Sequence, residues 1–190
     1  MIDILKTDDY VVLDTETTGV DSNSEIVSIA IINSRGQTLL HTRVKPFEPI
    51  PLGATNIHGI TNEDVINAPR LPYLEILNII NGKHVVVYNA DYDSAMLYRS
   101  MKAGNFPFID WNRIAMWHCA MKEFARIYGD WDYRRKAYAW KKLSKAAEYY
   151  NIPIVDAHDA LADCLLTLEV CKAMIGNRPI QEVSQGKIPF

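Results

Sequence analysis

Two acidic residues, Asp14 and Glu16, are separated by one position at the end of a segment rich in β-branched residues. Because side chains alternate along a strand, both carboxylates lie on the same face, where they repel each other and resist burial. A bound divalent cation removes that repulsion, and oxygen ligands favour Mg²⁺ or Mn²⁺ over zinc. The alternative is a strand that ends here with both acids solvated.

A second polar cluster occupies residues 88–93, directly after another apolar segment. Asn89, Asp91 and Asp93 could each cap a helix that begins here. One cap is sufficient for one helix, so the cluster contains an acidic residue that capping alone does not explain.

The third cluster, residues 158–163, opens the last long apolar segment. His158 and Asp163 are five positions apart, which is about 500° of helical rotation, so they cannot share one helical face. If both serve one site, we expect His158 in the loop before the helix and Asp163 one turn into it. In the alternative, Asp156 and Asp159 cap the helix while His158 and Asp163 are solvated surface residues.

The elements that position these clusters follow from turn signals and hydrophobic periodicity. Three early strands with short turns indicate a meander, and later strands alternate with helices, which favours a mixed α/β sheet flanked by helices. Residues 26–32 are apolar except for Ser28, as in a strand buried on both faces. Thr61 followed by Asp64 predicts a short capped helix, and residues 105–117 are ambiguous. The predicted strands are residues 10–15, 26–32, 38–44 and 83–88, and the predicted helices are residues 72–82, 94–103, 122–128, 140–150 and 159–175.

In their order along the chain, the three clusters resemble the motifs of the DEDDh branch of the DnaQ-like 3′–5′ exonucleases, in the ribonuclease H-like superfamily. The resemblance covers nearly the whole chain. Residues 14–19 look like the first motif, residues 57–61 like the substrate-contacting segment, and residues 140–152 like the helix and linker before the third motif. The length and residues 117–128 are similar to those of stand-alone, exonuclease X-like members.

This resemblance implies a ribonuclease H-like, mixed five-stranded sheet and a metal-dependent enzyme that releases nucleoside 5′-monophosphates from the 3′ end of DNA. Two Mg²⁺ or Mn²⁺ ions are the implied cofactors. The family pattern identifies Asp93 rather than Asp91 as the functional acid of the second motif. The implied catalytic residues are Asp14, Glu16, Asp93 and Asp163, which also bind metal, with His158 as general base; the implied contacts to the 3′-terminal nucleotide are Thr15, Thr17, Ile57, His58 and Asn89.

Two positions depart from the family pattern. The second motif begins with Tyr88 where the family usually has histidine, and Gly53 stands where proofreading relatives have a glutamate that touches the terminal nucleotide. These departures predict that the 3′ end is recognised more loosely or by another residue. The four acids and His158 are intact, which argues against an inactivated copy.

The charge distribution favours a nucleic-acid partner with a free 3′ end. Residues 113–145 contain nine basic and three acidic residues, whereas the whole chain has a net charge of -3. A solvated helix face is the alternative interpretation of these charges. Aromatic residues in and near this segment offer stacking surfaces, with core packing as the alternative for each: Trp111, Trp117, Tyr128, Trp131, Tyr133, Tyr138 and Trp140.

Two other functions and one oligomeric state remain open at this stage. The same fold and motifs serve RNA 3′-end trimming, since DNA and RNA present the same phosphodiester. The chain could instead be an exonuclease-fold subunit of a polymerase complex, and it could form a homodimer. We favour DNA because the Thr17-Thr18-Gly19 sequence is more typical of proofreading and DNA-degrading members.

Length and composition exclude several classes of protein. With 190 residues, of which 48% are hydrophobic, the chain has enough apolar residues for one folded domain, predicted as residues 1–176 with a C-terminal tail at residues 177–190. No apolar run approaches the roughly 18 residues of a membrane span, and no signal peptide is seen. The three cysteines match no CxxC pattern, so we expect a reducing cytoplasm and no membrane partner.

Overall fold

The structure, a computed structural model, describes residues 1–155 and 158–176. Their main sheet is mixed and five-stranded, in the order β3-β2-β1-β4-β5. The first three strands form an antiparallel meander, and the last two run parallel to β1. The predicted fold class is therefore confirmed, whereas the predicted tail lies outside the described residues. The strands are β1 (Tyr10–Thr17), β2 (Ile26–Asn33), β3 (Thr38–Arg43), β4 (His84–Val87) and β5 (Met116–Cys119).

Helices cover both faces of this sheet. One core cluster packs α1, α6, α7 and α8 against one face, and a second packs α3, α4 and α5 against the other. Within the described part of the chain, no helix is both long and apolar enough to cross a lipid bilayer. The helices are α1 (Ile2–Leu5), α2 (Leu52–His58), α3 (Tyr73–Ile80), α4 (Ala90–Ala103), α5 (Trp111–Ile114), α6 (Ala120–Tyr128), α7 (Leu143–Tyr149) and α8 (Ala160–Gly176), and a small separate hairpin is formed by β6 (Trp131–Asp132) and β7 (Ala137–Tyr138).

The interior strand β2 is buried on both faces, as its composition predicts. Residues 26–32 are all buried, including Ser28. The Ser28 hydroxyl has no hydrogen-bond partner among the described residues. Because β2 lies between β1 and β3 with helices on both sides, neither of its faces is solvated. Polar and apolar side chains therefore do not alternate along it.

Several element boundaries differ from the sequence predictions. The first strand continues to Thr17, and α4 begins at Ala90 rather than at residue 94. The start predicted for α7 at residue 140 is wrong, because Lys142 has an extended backbone (φ -64°, ψ 158°) and the helix begins after it. The ambiguous segment contains α5 and the start of β5.

The segment between β3 and α3 was the least well predicted. Thr61 and Asp64 form the expected reciprocal hydrogen bonds, yet the residues after Thr61 form turns rather than the predicted helix. The helix α2 was not predicted, because the prolines around it suggest a loop. Pro51 in fact directly precedes its first turn, where the missing N–H of a proline costs little.

The parallel pairing of β1 and β4 brings distant segments to one edge of the sheet. Val12 pairs with Val86, and Asp14 and Tyr88 each follow two residues later. Because the carboxyl ends of parallel strands share an edge, the loops that begin α4 and α6 leave the sheet beside the acidic end of β1. This edge is where the first two sequence clusters meet.

Candidate active site

The strand β1 divides its side chains between two helical layers. Val12 belongs to the core cluster that contains α8, so Asp14 and Glu16, which follow it with period two, face the same layer. Val11 and Leu13 belong to the cluster that contains α4, and Thr15 continues that face. A single strand therefore presents acids to α8 and a hydroxyl to α4.

Three residues from distant parts of the chain form a compact group at this edge. Glu16, His158 and Asp163 each offer one ligand atom, and these atoms lie within 4.8 Å of one another. Glu16 is buried, Asp163 is partly buried and His158 is exposed. Such a group of oxygen and nitrogen atoms has the composition of a metal site or of an acid–base site.

The loop before α8 explains how His158 and Asp163 reach one place. The Asp159 carboxylate accepts hydrogen bonds from the N–H groups of Leu161 (3.0 Å) and Ala162 (3.2 Å), so it caps the helix. His158 has a left-handed backbone conformation, with φ 69°, before the helix begins. Asp159 thus has the capping role of the alternative interpretation, and Asp156 lies outside the described residues. Asp163 is left to face Glu16.

Asp93 and Asp91 have different surroundings at the start of α4. Asp93 is 4% exposed and accepts a hydrogen bond of 2.7 Å from the Thr15 hydroxyl. Asp91 is exposed and forms an ion pair of 2.5 Å with Lys122. The structure therefore directs Asp93 toward β1 and Asp91 toward solvent.

Burial and mutual repulsion raise the pKa values of the clustered carboxyl groups. The pKa of Asp14 is well above its usual range because of burial, with further increases from Asp93, Asp163 and Glu16. The pKa of Glu16 rises to about 8, again through burial first and then through Asp163. Carboxyl groups whose pKa values are raised by burial and by mutual repulsion indicate a place where positive charge would be strongly stabilised.

The rise in pKa is opposed at Asp93 by hydrogen bonds and at Asp163 by the neighbouring His158. Burial raises the pKa of Asp93 to about 7, although the bond from Thr15 favours its charged form. Burial also raises the pKa of Asp163, while His158 lowers it. Asp93 and Asp163 therefore have partners that hold the carboxylate form in place.

His58, at the end of α2, has both ring nitrogens engaged. The Ile60 N–H donates to Nδ1 at 3.0 Å, and Nε2 lies 3.1 Å from the Thr17 carbonyl oxygen. Since Nδ1 accepts, Nε2 carries the proton and the ring is neutral. Burial lowers the pKa of His58, which also favours the neutral ring. The contact between Nε2 and the Thr17 carbonyl oxygen attaches α2 to β1.

The remaining predicted substrate contacts differ in how accessible they are. The hydroxyl groups of Thr15 and Thr17 are occupied inside the protein, the latter by Tyr92 (2.6 Å) and by the Gly19 carbonyl oxygen (2.9 Å). Only the backbone of these threonines is therefore left for a nucleotide. The other two predicted contacts are Ile57, which is 61% exposed, and Asn89, which is partly buried and makes no side-chain capping bond.

Arg43 is a residue of this site that sequence reasoning missed. Glu16 pairs with Ser28, and Ser28 pairs with Arg43, so the three lie in one row across β1, β2 and β3. Burial has the larger effect on both pKa values; Arg43 opposes the rise at Glu16 and adds to the lowering at His58. No motif marks Arg43 in the sequence, because its relation to Glu16 depends on the register of three strands.

Tyr88, the departure from the family pattern, has a structural role. It is 7% exposed, packs in the same cluster as α8, and its hydroxyl donates a hydrogen bond of 2.8 Å to the Lys141 carbonyl oxygen. The substitution therefore replaces a polar imidazole by a ring that links β4 to the segment before α7.

The sheet order and the helices on both faces define the ribonuclease H-like fold of exonucleases. Residues 11–171 match the family model for RNase T-type exonucleases. The chain therefore belongs to this DnaQ-like exonuclease family, as its motifs predict.

Relatives within this family include phage, bacterial and structurally characterised proteins. The uncharacterised exonuclease CP81 of Escherichia phage 186 is 39% identical over 175 residues, 88% of each chain. DNA polymerase III subunit epsilon of Buchnera aphidicola subsp. Schizaphis graminum is 27% identical over 169 residues, 82% of this chain and 68% of that one.

Two solved structures share the fold. Exonuclease X in complex with 5′ overhanging duplex DNA has a TM-score of 0.61 and 25% identity, covering 87% of this chain and 90% of that one. E. coli exonuclease I in complex with a dT13 oligonucleotide has a TM-score of 0.73 and 17% identity, covering 91% of this chain. This chain spans only 42% of exonuclease I, so that likeness concerns the fold alone.

Proposed function

We propose that this chain is a metal-dependent 3′–5′ exonuclease that releases nucleoside 5′-monophosphates from DNA. The observation that carries the proposal is the convergence of Glu16, His158 and Asp163, from a strand, a loop and a helix, within 4.8 Å. Membership of an exonuclease family supports the class of reaction. The order of the three motifs supports the 3′–5′ direction.

The donor set of the site fits two Mg²⁺ or Mn²⁺ ions. Its acids supply only oxygen ligands, which hard cations prefer, and burial has raised their pKa values in the absence of a counter-charge. Asp14, Glu16 and Asp163 would hold one ion, and Asp14 and Asp93 the other. When bound, such ions supply an activated water and stabilise charge on the phosphate and the leaving oxygen.

His158 is the proposed general base. Its exposed position before α8 lets the ring approach a water beside the scissile phosphate, and its neutral form accepts the proton of that water. The nearby carboxylate of Asp163 stabilises the imidazolium that forms. Thr15 orients Asp93 through their 2.7 Å hydrogen bond, so that the charge of Asp93 faces the same edge.

The proposed contacts to the 3′-terminal nucleotide lie on α2 and at the start of α4. Ile57 is exposed and offers an apolar contact to a base or sugar. His58 holds α2 against Thr17 and presents the edge of its ring rather than a free nitrogen. Asn89 retains an amide without a capping bond, which is available to a phosphate or hydroxyl.

DNA is favoured as substrate because exonuclease X was solved with duplex DNA and is similar over most of this chain. A second candidate function is that of a proofreading subunit in a polymerase complex. The observation that favours it is the similarity to DNA polymerase III subunit epsilon, which extends over 82% of this chain.

The three thiols support a proposed cellular setting. Cys119, Cys164 and Cys171 are free, and we place the enzyme in the reducing cytoplasm. The family match over residues 11–171 supports residues 1–176 as a single exonuclease domain.

One assay tests the proposal. The same 5′-labelled sequence is supplied as single-stranded DNA, duplex DNA and RNA, with Mg²⁺, Mn²⁺ or a chelator. We expect a ladder of products shortened from the 3′ end, faster with DNA and absent with chelator. Shortening from the 5′ end or activity in chelator would contradict the proposal, and faster RNA shortening would assign the enzyme to RNA trimming.

A further inference from the structure

An exposed aromatic and basic surface lies on the small hairpin and on the segment that leads from it to α7. We propose that this surface, here called the hairpin surface, binds the nucleic-acid strand that leads to the 3′ end, through base stacking and phosphate contacts. The inference rests on the proposed function and specifies where the body of the substrate lies. The hairpin surface consists of Trp131, Tyr133, Arg134, Arg135, Lys136, Tyr138, Trp140 and Lys142, whereas the Lys141 charge is paired with Asp130.

The structure separates stacking aromatics from core aromatics in this part of the chain. Trp111 is 3% exposed and Tyr128 packs against Phe124, so neither is available to a ligand. Tyr133 is 85% exposed and Trp140 is 59% exposed. Large aromatic side chains that do not contribute to a core are typical of surfaces that stack on bases.

The charge of the hairpin surface suits a polyanion. Residues 131–142 contain five basic residues and one acidic residue, in a chain whose net charge is -3. Arg135 pairs with Asp132 at 3.6 Å. Among the residues that the structure describes, Arg134 and Lys136 form no ion pair, so their charges remain available to phosphates.

The tip of the hairpin is preorganised although its strands are short. The Asp132 carboxylate accepts hydrogen bonds from the N–H groups of Arg134 (2.9 Å) and Arg135 (3.0 Å). Trp131 and Tyr138 meet edge to face across the hairpin, with ring centroids 5.0 Å apart. Two-stranded hairpins are marginally stable alone, so these contacts hold the tip in the form that displays its side chains.

The base of the hairpin surface is attached to the edge of the sheet that carries the acids. Tyr88 follows β4 and donates its hydroxyl hydrogen bond to the Lys141 carbonyl oxygen. Tyr88 packs in the same layer as Val12, which is the face of β1 that presents Asp14 and Glu16. A strand whose 3′ end lies at the acids can therefore continue across Lys141 toward the hairpin.

A groove beside Trp140 extends this path. It has a volume of about 530 Å³, and its lining includes Trp140, Lys142, Lys145, Glu148 and Ile154. Lys145 pairs with Glu148 at 2.9 Å, so Lys142 carries the charge available to a phosphate. An apolar wall with lysines at its rim matches the chemistry of a strand whose bases and phosphates face opposite sides.

The test compares long and short substrates in variants of this surface. The variants are Tyr133→Ala, Trp140→Ala and the double variant Arg134→Ala with Lys136→Ala. The matched controls are Phe108→Ala, which removes an aromatic side chain that is 76% exposed elsewhere, and Lys83→Ala with Lys102→Ala, which removes two exposed lysines outside this surface. Binding is measured by fluorescence anisotropy in chelator with 5′-fluorescein oligothymidylates, from a dinucleotide to about 16 nucleotides.

We expect each aromatic variant to raise Kd for the longest oligonucleotide roughly tenfold, as for the loss of one stacked base. The double charge variant should reduce the slope of log Kd against log salt by about 1.4, since each single-strand phosphate contact contributes about 0.7. Hydrolysis of the dinucleotide should match wild type, and both controls should bind the long strand normally.

Two results would overturn the inference. Binding of the long strand that is unchanged relative to the controls would assign the surface to something other than nucleic acid, such as a protein. Equal losses with long and dinucleotide substrates would mean that the hairpin only supports the fold. Neither result depends on the direction of hydrolysis or on whether the enzyme uses metal. A wild-type enzyme that fails to shorten DNA would therefore disprove the proposed function separately from this inference.

Discussion

The Thr15 hydroxyl donates a buried hydrogen bond of 2.7 Å to the Asp93 carboxylate, joining residues 78 positions apart. Thr15 lies between Asp14 and Glu16 on β1, so one strand presents two acids on one face and orients a third from the other. The threonine is therefore a positioning residue for Asp93, a role distinct from the backbone contact to nucleotide that the sequence suggests.

Replacing Thr15 by valine should remove this hydrogen bond while preserving shape. Hydrogen bonds to charged groups contribute about 1.5–3 kcal/mol, so we expect kcat/KM to fall roughly ten- to hundredfold. Because the bond favours the charged form of Asp93, its loss should also raise the Mg²⁺ concentration needed for half-maximal activity. Thr15→Ser, which keeps the hydroxyl, should restore both quantities; a Thr15→Val enzyme with wild-type kinetics would show that the bond is dispensable.

Asp93 and Asp91 should differ sharply in their effects on activity. Asp93→Asn should abolish DNA hydrolysis, because this buried carboxylate faces the other acids. Asp91→Asn should retain most activity, since its exposed ion pair with Lys122 contributes at most about 1 kcal/mol. Initial rates on 5′-labelled DNA measure both, with thermal unfolding to confirm that each variant folds. Full loss in Asp91→Asn alone would mean that the wrong acid has been chosen.

Without metal, the protein should become less stable as pH rises from about 4.5 to 8. The folded pKa is about 8 for Glu16 and about 7 for Asp93, against ordinary values of 4.5 and 3.8. The folded state therefore holds more protons than the unfolded chain in that window, and the free energy of unfolding decreases with pH. Saturating Mg²⁺ binds the deprotonated acids and should stabilise the protein increasingly toward higher pH.

Urea unfolding in chelator and in Mg²⁺, at several pH values, measures this dependence. Glu16→Gln is the control, because it removes one titrating group and should flatten the profile in chelator. A wild-type protein in chelator whose stability rises with pH would contradict the assignment of raised pKa values to these acids.

His158→Ala should lower kcat by roughly 10²–10⁴, the range for loss of a general base. Because a general base acts only when deprotonated, the variant should also lose the low-pH limb of its kcat profile. Its Mg²⁺ affinity, measured by calorimetry, should change little, since the carboxylates hold the ions. His58→Ala is the comparison variant. It should raise KM and leave the low-pH limb of the kcat profile largely unchanged. Near-normal kcat in His158→Ala would leave this histidine as a surface residue.

Much of the site could be predicted from the sequence because it depends on short-range patterns. The alternation of β1 places Asp14 and Glu16 on one face in any sheet, and the spacing of His158 and Asp163 requires a loop residue and a helix residue. The apolar composition of residues 26–32 predicts burial on both faces, which the structure confirms. Such features depend on backbone periodicity and capping, which neighbouring residues decide among themselves.

Other features depended on contacts between distant segments. The row of Glu16, Ser28 and Arg43 exists only because three strands pair in one register. The engagement of both His58 nitrogens required α2 to pack against β1. Sequence patterns do not encode such contacts, since a shift of one residue in register would move every side chain to the opposite face.

The aromatic residues show the same division. Their spacing in residues 111–140 is compatible with core packing or with stacking, and the sequence leaves each one open. Burial of Trp111 and exposure of Tyr133 were decided by which segments reach the sheet and which extend beyond it as a hairpin. The sequence alone determined the chemistry available at the acidic edge, whereas packing decided which side chains surround that edge, because burial depends on the whole arrangement of elements and not on local pattern.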